Sequence, residues 1–250
     1  MTTDLLAGRR ILVTGGSRGL GLAMARAAGE AGAELVLAAR SRTQLDVAVT
    51  GLAADGIAAR AVATDLSDAA QVADLVASVS EGGLHGVIHA AGIQHREAAA
   101  DFTDDDLRRV LDVNLESPFR LTRELVRHDA CDTLRSVVLV GSLGSSIAIP
   151  RAVAYAASKA GLLGLARTLA AEWAPRGIRV NVLSPGYFHT ELTADLLDDP
   201  VQHARVVGRI PMGRLGQPAE LGGGAVFLLS DWASYVTGQQ LIVDGGWLGA

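Results

Sequence analysis

The sequence is poor in aromatic residues and has a single cysteine. Phe, Trp and Tyr make up 4% of the 250 residues, so alanine, valine and leucine must fill the core. Cys131 is the only cysteine, which excludes a disulfide within the chain. This cysteine and the six histidines show no metal-ligand spacing. We therefore predict that the protein has no catalytic metal.

Long apolar runs and a strong charge of either sign are also missing. No apolar run approaches the roughly 18 residues of a membrane span, and no signal peptide heads the chain. The formal net charge of −5 gives no overall reason to expect a nucleic-acid partner. These absences predict a cytoplasmic, soluble protein without a nucleic-acid or membrane partner.

What the sequence does contain is an alternation of short apolar runs with longer helical patterns. Runs that are apolar on both faces are typical of parallel strands covered by helices on each side. The alternation predicts an α/β fold, with one doubly wound domain over residues 1–250. Only the stretch after Pro185 departs from this alternation of strand and helix patterns. We expect that stretch to form a helical substrate lid at about 187–209. The predicted strands are 11–14, 34–39, 57–63, 86–90, 136–141, 178–183 and 240–245.

The first predicted strand leads into a glycine turn, "GGSRGLG", which begins at Gly15. Such a turn lets the backbone approach a ligand closely, and the following helix presents free N–H groups to a phosphate. The spacing of Gly15, Gly19 and Gly21 is G-x-x-x-G-x-G, which differs from the G-x-G-x-x-G of the Rossmann fingerprint. The turn predicts a dinucleotide phosphate site, with a purely structural turn as the alternative.

The residues at the end of the second predicted strand bear on the choice of cofactor. An acidic residue there would bind the ribose hydroxyls and favour NAD. This chain has Ala39 followed by Arg40, with Arg42 close by, and Arg18 points to the same region from the glycine turn. A guanidinium can pair with a 2′-phosphate through two hydrogen bonds. We therefore predict NADP(H), the alternative being that these arginines are solvated surface residues.

A candidate catalytic group follows in "AYAASKAG". Tyr155 and Lys159 are four residues apart and share one face of a predicted helix. A neighbouring ammonium stabilises a phenolate, so we expect the pKa of Tyr155 to fall below its ordinary value. Ser142 ends the fifth strand, at the border of the ligand crevice in such sheets. Asn114 lies in a predicted helix, where asparagine is unfavourable unless it has a polar task.

The order and spacing of "TGGSRGLG", Asn114, Ser142 and "YAASK" resemble the short-chain dehydrogenase/reductase family, as do "SPGYFHTE" and "DGGW" further on. The resemblance covers essentially the whole chain. It implies a Rossmann-like domain with a seven-stranded parallel sheet, and hydride transfer between a nicotinamide and a small-molecule carbonyl or secondary alcohol. By this resemblance Tyr155 is the general acid/base and Ser142 holds the substrate oxygen. Lys159 holds the nicotinamide ribose and tunes Tyr155, while Asn114 supports a water-linked proton relay.

The resemblance also implies cofactor contacts and an assembly. Asp65 would meet the adenine amino group, and the chain has His89 at the start of "HAAG", where the family often has Asn-Asn-Ala-Gly. We expect His89 to be structural. The helix around Tyr155 is apolar on almost every side, and a sheet covers only one, so we expect a homotetramer. The implied cofactor-binding residues are Gly15, Ser17, Arg18, Gly19, Leu20, Gly21, Arg40, Asp65, Leu66, Ala91, Gly92, Tyr155, Lys159, Pro185, Gly186 and Thr190.

Within the family, "GIQHRE", "SPGYFHTELT", "GRLGQPAEL" and "VDGGWL" are most similar to gluconate 5-dehydrogenases and to 2-deoxy-gluconate 3-dehydrogenases or ketodeoxyuronate dehydrogenases. A sugar acid carries a carboxylate, so its pocket should hold cations. The candidate substrate residues are His95, Arg96, Arg151, Tyr187 and His189. One alternative is a ketoreductase for acyl-carrier-protein substrates, which would need a basic patch beside the site. Another is a noncatalytic NADP(H)-binding regulator, which would have no need of all four catalytic groups.

Overall fold

The computed structural model describes residues 4–128, 133–189 and 199–250. Seven strands form a parallel sheet in the order β3-β2-β1-β4-β5-β6-β7. All seven predicted strands are confirmed, with boundaries that shift by two residues or fewer. The strands are β1 Arg10–Thr14, β2 Glu34–Ala39, β3 Ala59–Ala63, β4 Gly86–His89, β5 Ser136–Val140, β6 Arg179–Pro185 and β7 Gln240–Val243.

Helices cover both faces of this sheet, which confirms the doubly wound α/β prediction. Alternate residues of β1 enter opposite cores, since Ile11 and Val13 pack with α1, α2 and α8 and Leu12 packs with α3, α5 and α6. The helices are α1 Gly19–Glu30, α2 Arg42–Ala54, α3 Ala69–Ser80, α4 Asp104–Leu111, α5 Ser117–Arg127, α6 Val153–Trp173, α7 Pro200–Val207 and α8 Pro218–Leu229.

The strand order reverses direction at β1, which lies between β2 and β4. Ligands of open α/β sheets bind at such a switch point, in the crevice beside the carboxyl ends of the strands. The order of the first six strands is that of the Rossmann fold. The glycine turn after β1, the loop after β4 and Ser142 after β5 all lie at this same edge of the sheet.

One helical region departs from regular geometry where the sequence places a candidate catalytic residue. A π-helical turn at Asp112–Glu116 joins α4 to α5, and Asn114 lies in its middle. Insertions of this kind are frequent at functional sites.

Part of the predicted lid lies within the described ranges. Residues 187–189 and 199–209 are described, and they include α7, whereas the predicted cofactor residue Thr190 lies outside the described residues. No helix within the described ranges combines the length and the apolar character that crossing a membrane requires.

Candidate active site

The glycine turn after β1 packs directly against the loop after β4. Gly15 has a φ of 67°, and a Cβ added to it would lie 2.6 Å from the backbone nitrogen of Ala91. A Cβ on Gly21 would overlap the carbonyl oxygen of Gly15. Neither position can therefore hold a larger residue. The close approach leaves the first turn of α1, which begins at Gly19, facing the crevice at the switch point.

Two of the predicted adenosine-binding residues lie side by side across the ends of β2 and β3. Hydrogen bonds from Ser67 lower the pKa of the Asp65 carboxyl, and the nearby positive charge of Arg40 lowers it further. Arg40 is exposed. Arg42 is engaged elsewhere, because its guanidinium is 2.8 Å from Asp46 one turn along α2. Arg40 is therefore the arginine of this loop best placed to meet a phosphate.

The other implied cofactor residues surround the same edge of the sheet. Ser17 is 3.5 Å from the side chain of Gln44, and Arg18 is exposed immediately before α1. The carbonyl of Leu66 accepts hydrogen bonds from Ser117 and Arg120, so this residue contributes a fixed backbone. On the far side of the crevice, the chain passes from Pro185 at the end of β6 into Gly186, whose N–H donates to Val243.

Ser142, Tyr155 and Lys159 converge at the carboxyl end of β5. The Ser142 hydroxyl hydrogen-bonds the Tyr155 phenol and also accepts from the N–H of Gly144 at 3.1 Å. Lys159 is buried, with its Nζ 5.7 Å from the centre of the Tyr155 ring. Its Nζ donates to the carbonyl of Val140 at 2.8 Å. One strand end and one helix thus hold a hydroxyl, a phenol and an amine around one small volume.

Asn114 connects this group to the loop after β4. Its Nδ2 donates to the carbonyl of Ile93 at 2.9 Å and to Ser158 Oγ at 3.1 Å, and its Oδ1 accepts from Ile93 N–H at 2.8 Å. A Cβ on Gly92 would lie 3.3 Å from Asn114 Oδ1 and 3.5 Å from Lys159 Nζ. The π-helical turn therefore directs a buried amide at the space beside Lys159.

The electrostatics of this group differ from the sequence-based expectation. Burial raises the pKa of Tyr155 above 10.0, and the hydrogen bond from Ser142 and the charge of Arg96 only partly oppose it. Burial also lowers the pKa of Lys159 to about 8. The prediction that the pKa of Tyr155 falls below its ordinary value is therefore wrong. The phenol is held in its protonated form, which is the form that a proton donor needs.

Two members of the predicted cationic set are paired with acidic side chains of the protein. Arg151 forms an ion pair with Glu97 at 3.2 Å. His95 lies 3.6 Å from Asp106 and packs edge-on against Phe102. Both side chains are thus engaged by groups of the protein itself, which weakens their case as substrate ligands.

Arg96 and Tyr187 are related to the site in different ways. Arg96 is exposed, and its charge acts on the phenol of Tyr155. Tyr187 packs its ring 4.7 Å from that of Trp247, while His189 is exposed two residues further on. Arg96 is therefore the member of the cationic set whose charge lowers the pKa of the catalytic phenol.

Sequence reasoning missed two features of the site. Ser145 is a buried serine in the turn after Ser142, and only its closeness to Ser142 in the chain could have drawn attention to it. Trp247 packs against Leu143 and beneath the guanidinium of Arg209, 4.3 Å from the ring centre. The motif "DGGW" resembles the family, but it does not indicate that Trp247 packs beside the turn after β5.

His89 stands where the family often has asparagine. It is buried, with Nε2 2.8 Å from Thr122 Oγ1, and that hydroxyl donates to the carbonyl of Pro118. Nε2 of His89 is therefore the donor to Thr122. Burial lowers the pKa of His89 to about 3, so the ring is neutral. The side chain tethers β4 to α5, as expected of a structural residue.

The comparisons with known proteins agree with this geometry. A family model described as enoyl-(acyl carrier protein) reductase matches residues 15–248. The gluconate 5-dehydrogenase of Gluconobacter oxydans (strain 621H) is 37% identical over 243 residues, which are 96% of this chain and 95% of that protein. A 3-oxoacyl-[acyl-carrier-protein] reductase of Salmonella typhimurium is 34% identical, with 96% and 97% covered.

A solved structure extends the likeness to three dimensions. The gluconate 5-dehydrogenase from Burkholderia cenocepacia J2315, in complex with NADP and tartrate, superposes with a TM-score of 0.91 at 34% identity, covering 100% of this chain and 99% of that one. Similarity of this extent, to relatives named as dehydrogenases and reductases, shows that the chain belongs to the short-chain dehydrogenase/reductase family of oxidoreductases.

Proposed function

We propose that this protein is an NADP(H)-dependent oxidoreductase of sugar acids or related polyols, with an activity like that of gluconate 5-dehydrogenase. The observation that carries the proposal is the exposed guanidinium of Arg96 in the loop after β4, which is near enough to Tyr155 for its charge to lower the pKa of the phenol. A carboxylate bound there would hold the rest of a short sugar acid beside the catalytic group. The similarity to the Gluconobacter enzyme over almost the whole chain supports the same substrate class.

The residues present fit a dinucleotide that carries a 2′-phosphate. The glycine turn is too close to Ala91 to admit a Cβ, and it opens onto the start of α1. Arg40 would pair with the 2′-phosphate, and no acidic side chain stands at the end of β2 to repel it. The relative from Burkholderia, whose structure contains NADP, supports this choice. When bound, the nicotinamide supplies or accepts the hydride.

The chain's own residues handle the proton. In the reducing direction, Tyr155 donates the phenolic proton to the carbonyl oxygen of the substrate, and its raised pKa keeps that proton available at neutral pH. When a substrate is bound, the Ser142 hydroxyl, which Gly144 N–H holds in place, turns its single proton from the phenol to the same oxygen. Lys159 places a positive charge beside the phenolate that forms, and Asn114 holds the loop that closes over Lys159.

A second candidate substrate class is the acyl thioester of a carrier protein, because a 3-oxoacyl-[acyl-carrier-protein] reductase is 34% identical. An acidic carrier protein needs a basic surface beside the site. Here the first turn of α4 holds three consecutive aspartates at residues 104–106, and one of them faces His95. Arg151 is already paired with Glu97. Arg108 and Arg109 are paired with these aspartates, so α4, all of which is described, offers no unpaired basic surface to a carrier protein, which favours a small substrate.

Turnover of matched substrates tests the proposal. Oxidation of NADPH would be followed with a keto sugar acid, a neutral ketose and a 3-oxoacyl thioester. We expect kcat/KM for the keto acid to exceed both others by about tenfold or more, since one charge-assisted pair is worth that factor. Highest activity on the thioester would support the second candidate, and equal activity on the acid and the neutral ketose would remove the case for a carboxylate.

A further inference from the structure

Ser145 places one buried hydroxyl between the strand end that carries Ser142 and the helix that carries Tyr155 and Lys159. It closes the single helical turn Leu143–Ser145 that follows β5. Its Oγ accepts from the backbone N–H of Ser142 at 3.2 Å and donates to the backbone carbonyl of Lys159 at 2.9 Å. The same oxygen therefore bonds the main chains of two residues of the catalytic group.

Lys159 is hydrogen-bonded both to β5 and to the turn that follows it, and the Ser145 hydroxyl makes the second of these bonds. The side chain of Lys159 donates to Val140, two residues before Ser142, while its carbonyl is bonded by Ser145. The position of Ser142 is fixed twice as well, since Gly144 N–H bonds its side chain and Ser145 bonds its main chain. The spacing between the Ser142 hydroxyl and helix α6 thus depends on the Ser145 hydroxyl.

The space around the Ser145 hydroxyl is tightly packed, so no water molecule could take the place of this oxygen. A Cβ added to Gly141 would lie 3.1 Å from Ser145 Oγ and would overlap the hydroxyl of Ser184. The space vacated by the hydroxyl would be about one atom in size, which is too small for a water molecule. Without this oxygen, the buried N–H of Ser142 would lack its partner, and the turn would have to shift to satisfy it.

We propose that Ser145 is a positioning residue for hydride transfer, which sets the Ser142 hydroxyl at its working distance from Tyr155 and Lys159. Within the described part of the chain its hydroxyl bonds main-chain groups alone, those of Ser142 and Lys159, and we assign it no contact with the substrate. The inference rests on the proposed oxidoreductase function, though not on any particular substrate. Small misplacements of a catalytic group cost large factors in rate, so the hydroxyl should matter for kcat far more than for binding.

The test compares Ser145→Ala with Ser146→Ala, the same change at the next residue, which is exposed. We expect Ser145→Ala to lower kcat by about 10- to 100-fold and to leave KM for NADPH within about twofold. The hydrogen bond from Ser142 lowers the pKa of Tyr155, so loosening it should also move the basic limb of the kcat profile to higher pH. Ser146→Ala should behave as wild type.

Equal kcat values and pH profiles for the two variants would overturn the proposal, as would a loss of thermal stability with unchanged kcat. If Ser145→Ala does not fold, Ser145→Cys fills the space with a slightly larger atom and only a weak hydrogen-bonding group, and the same loss of kcat is expected. Crystal structures give a readout that needs no substrate: the Ser142 hydroxyl should move away from Lys159 in Ser145→Ala, and superimposable sites would contradict the inference. A wild type inactive on every carbonyl compound would refute the proposed function alone.

Discussion

At the scale of single residues, Tyr155 is subject to opposing effects. Burial favours the neutral phenol, whereas the Ser142 hydrogen bond and the charge of Arg96 favour the phenolate, and burial is the largest of the three. The pKa of this phenol could not be predicted from the "YAASK" spacing. The motif places the lysine one helical turn away, but burial depends on everything that packs around α6. The Lys159 ammonium is in fact directed to the carbonyl of Val140.

Tyr155→Phe tests the role of the phenolic proton. The ring and its packing are retained, so we expect Kd for NADP(H) to stay within about twofold while kcat falls by about 10²- to 10⁴-fold, the usual contribution of a general acid. Steady-state kinetics and fluorescence titration with NADPH measure the two effects. A variant that kept more than about a tenth of the wild-type rate would show that another group supplies the proton.

Arg40→Ala tests the cofactor choice, with Arg42→Ala as the matched control. Arg40 lies beside Asp65 with its side chain exposed, whereas Arg42 is paired with Asp46 along α2. Loss of a charge-assisted pair with the 2′-phosphate should raise Kd for NADP(H) by about 5- to 100-fold and leave Kd for NAD(H) nearly unchanged. Arg42→Ala should change neither the Kd for NADP(H) nor the Kd for NAD(H) by more than about twofold. Equal affinity of the wild type for the two cofactors would contradict the prediction.

At the scale of elements, the loops after β4 and β5 are fastened together on the substrate side. Glu97 donates its N–H to the carbonyl of Arg151 at 2.9 Å and pairs with the Arg151 guanidinium. Arg151 has a φ of 62°, and a left-handed backbone at a non-glycine residue costs on the order of 1 kcal/mol. The two contacts with Glu97 hold this conformation, and they fix the loop that carries Arg96.

Arg96→Ala should therefore affect charged substrates selectively. We expect KM for a keto sugar acid to rise by about tenfold or more, while KM for NADPH and for a neutral ketose stays within about twofold. Arg108→Ala is the control, because that exposed arginine pairs only with aspartates of its own helix among the residues described. Equal effects of Arg96→Ala on both substrates, or none on either, would remove Arg96 from the substrate site.

How far an element could be predicted from the sequence depended on whether its signal was local. The strands were predictable because parallel strands buried on both faces are continuous apolar runs, and each βα turn carries its own glycine or polar signal. The π-helical turn at Asp112–Glu116 could not be predicted. An asparagine in a helix indicates that its side chain makes polar contacts, but the sequence does not identify the partners. Those partners, Ile93 and Ser158, come from two distant segments.

At the scale of the whole molecule, apolar surface remains uncovered around the last strand. Trp232 is 69% exposed and Tyr235 is fully exposed, and both lie in the segment between α8 and β7, the final strand of the sheet. Along α6, Val153 is also exposed, and Ala157 and Gly164 lie on the open side of the helix. Two apolar surfaces of this kind are typical of a molecule with two self-complementary contacts.

We therefore predict a homotetramer with dihedral symmetry. Four chains of 25.8 kDa give a mass of about 103 kDa. Light scattering coupled to size-exclusion chromatography at micromolar concentration measures this directly, and Tyr235→Glu should shift the distribution toward smaller species, since a charge would be buried in the contact. A monomeric mass for the wild type would refute the prediction.

The stability of the whole fold should depend on pH through His89, which ties β4 to α5. Its pKa is 6.5 when unfolded and about 3 in the folded protein, because burial disfavours the charged ring. Below pH 6.5 the unfolded chain takes up a proton that the folded chain cannot accept. This stabilising contribution is complete above pH 6.5 and is lost by about 1.4 kcal/mol per unit as the pH falls toward 3.

His89→Asn should remove this dependence. Asparagine cannot titrate, and the family often has it at this position, so we expect the variant to fold and to lose less stability than wild type between pH 6.5 and 4. Urea unfolding across this range measures the difference, which should reach about 2–3 kcal/mol at pH 4.5. His203→Asn on the exposed side of α7 is the control and should follow the wild-type curve. Parallel curves for wild type and His89→Asn would show that the ring takes up a proton within the folded protein, and that burial does not keep it neutral.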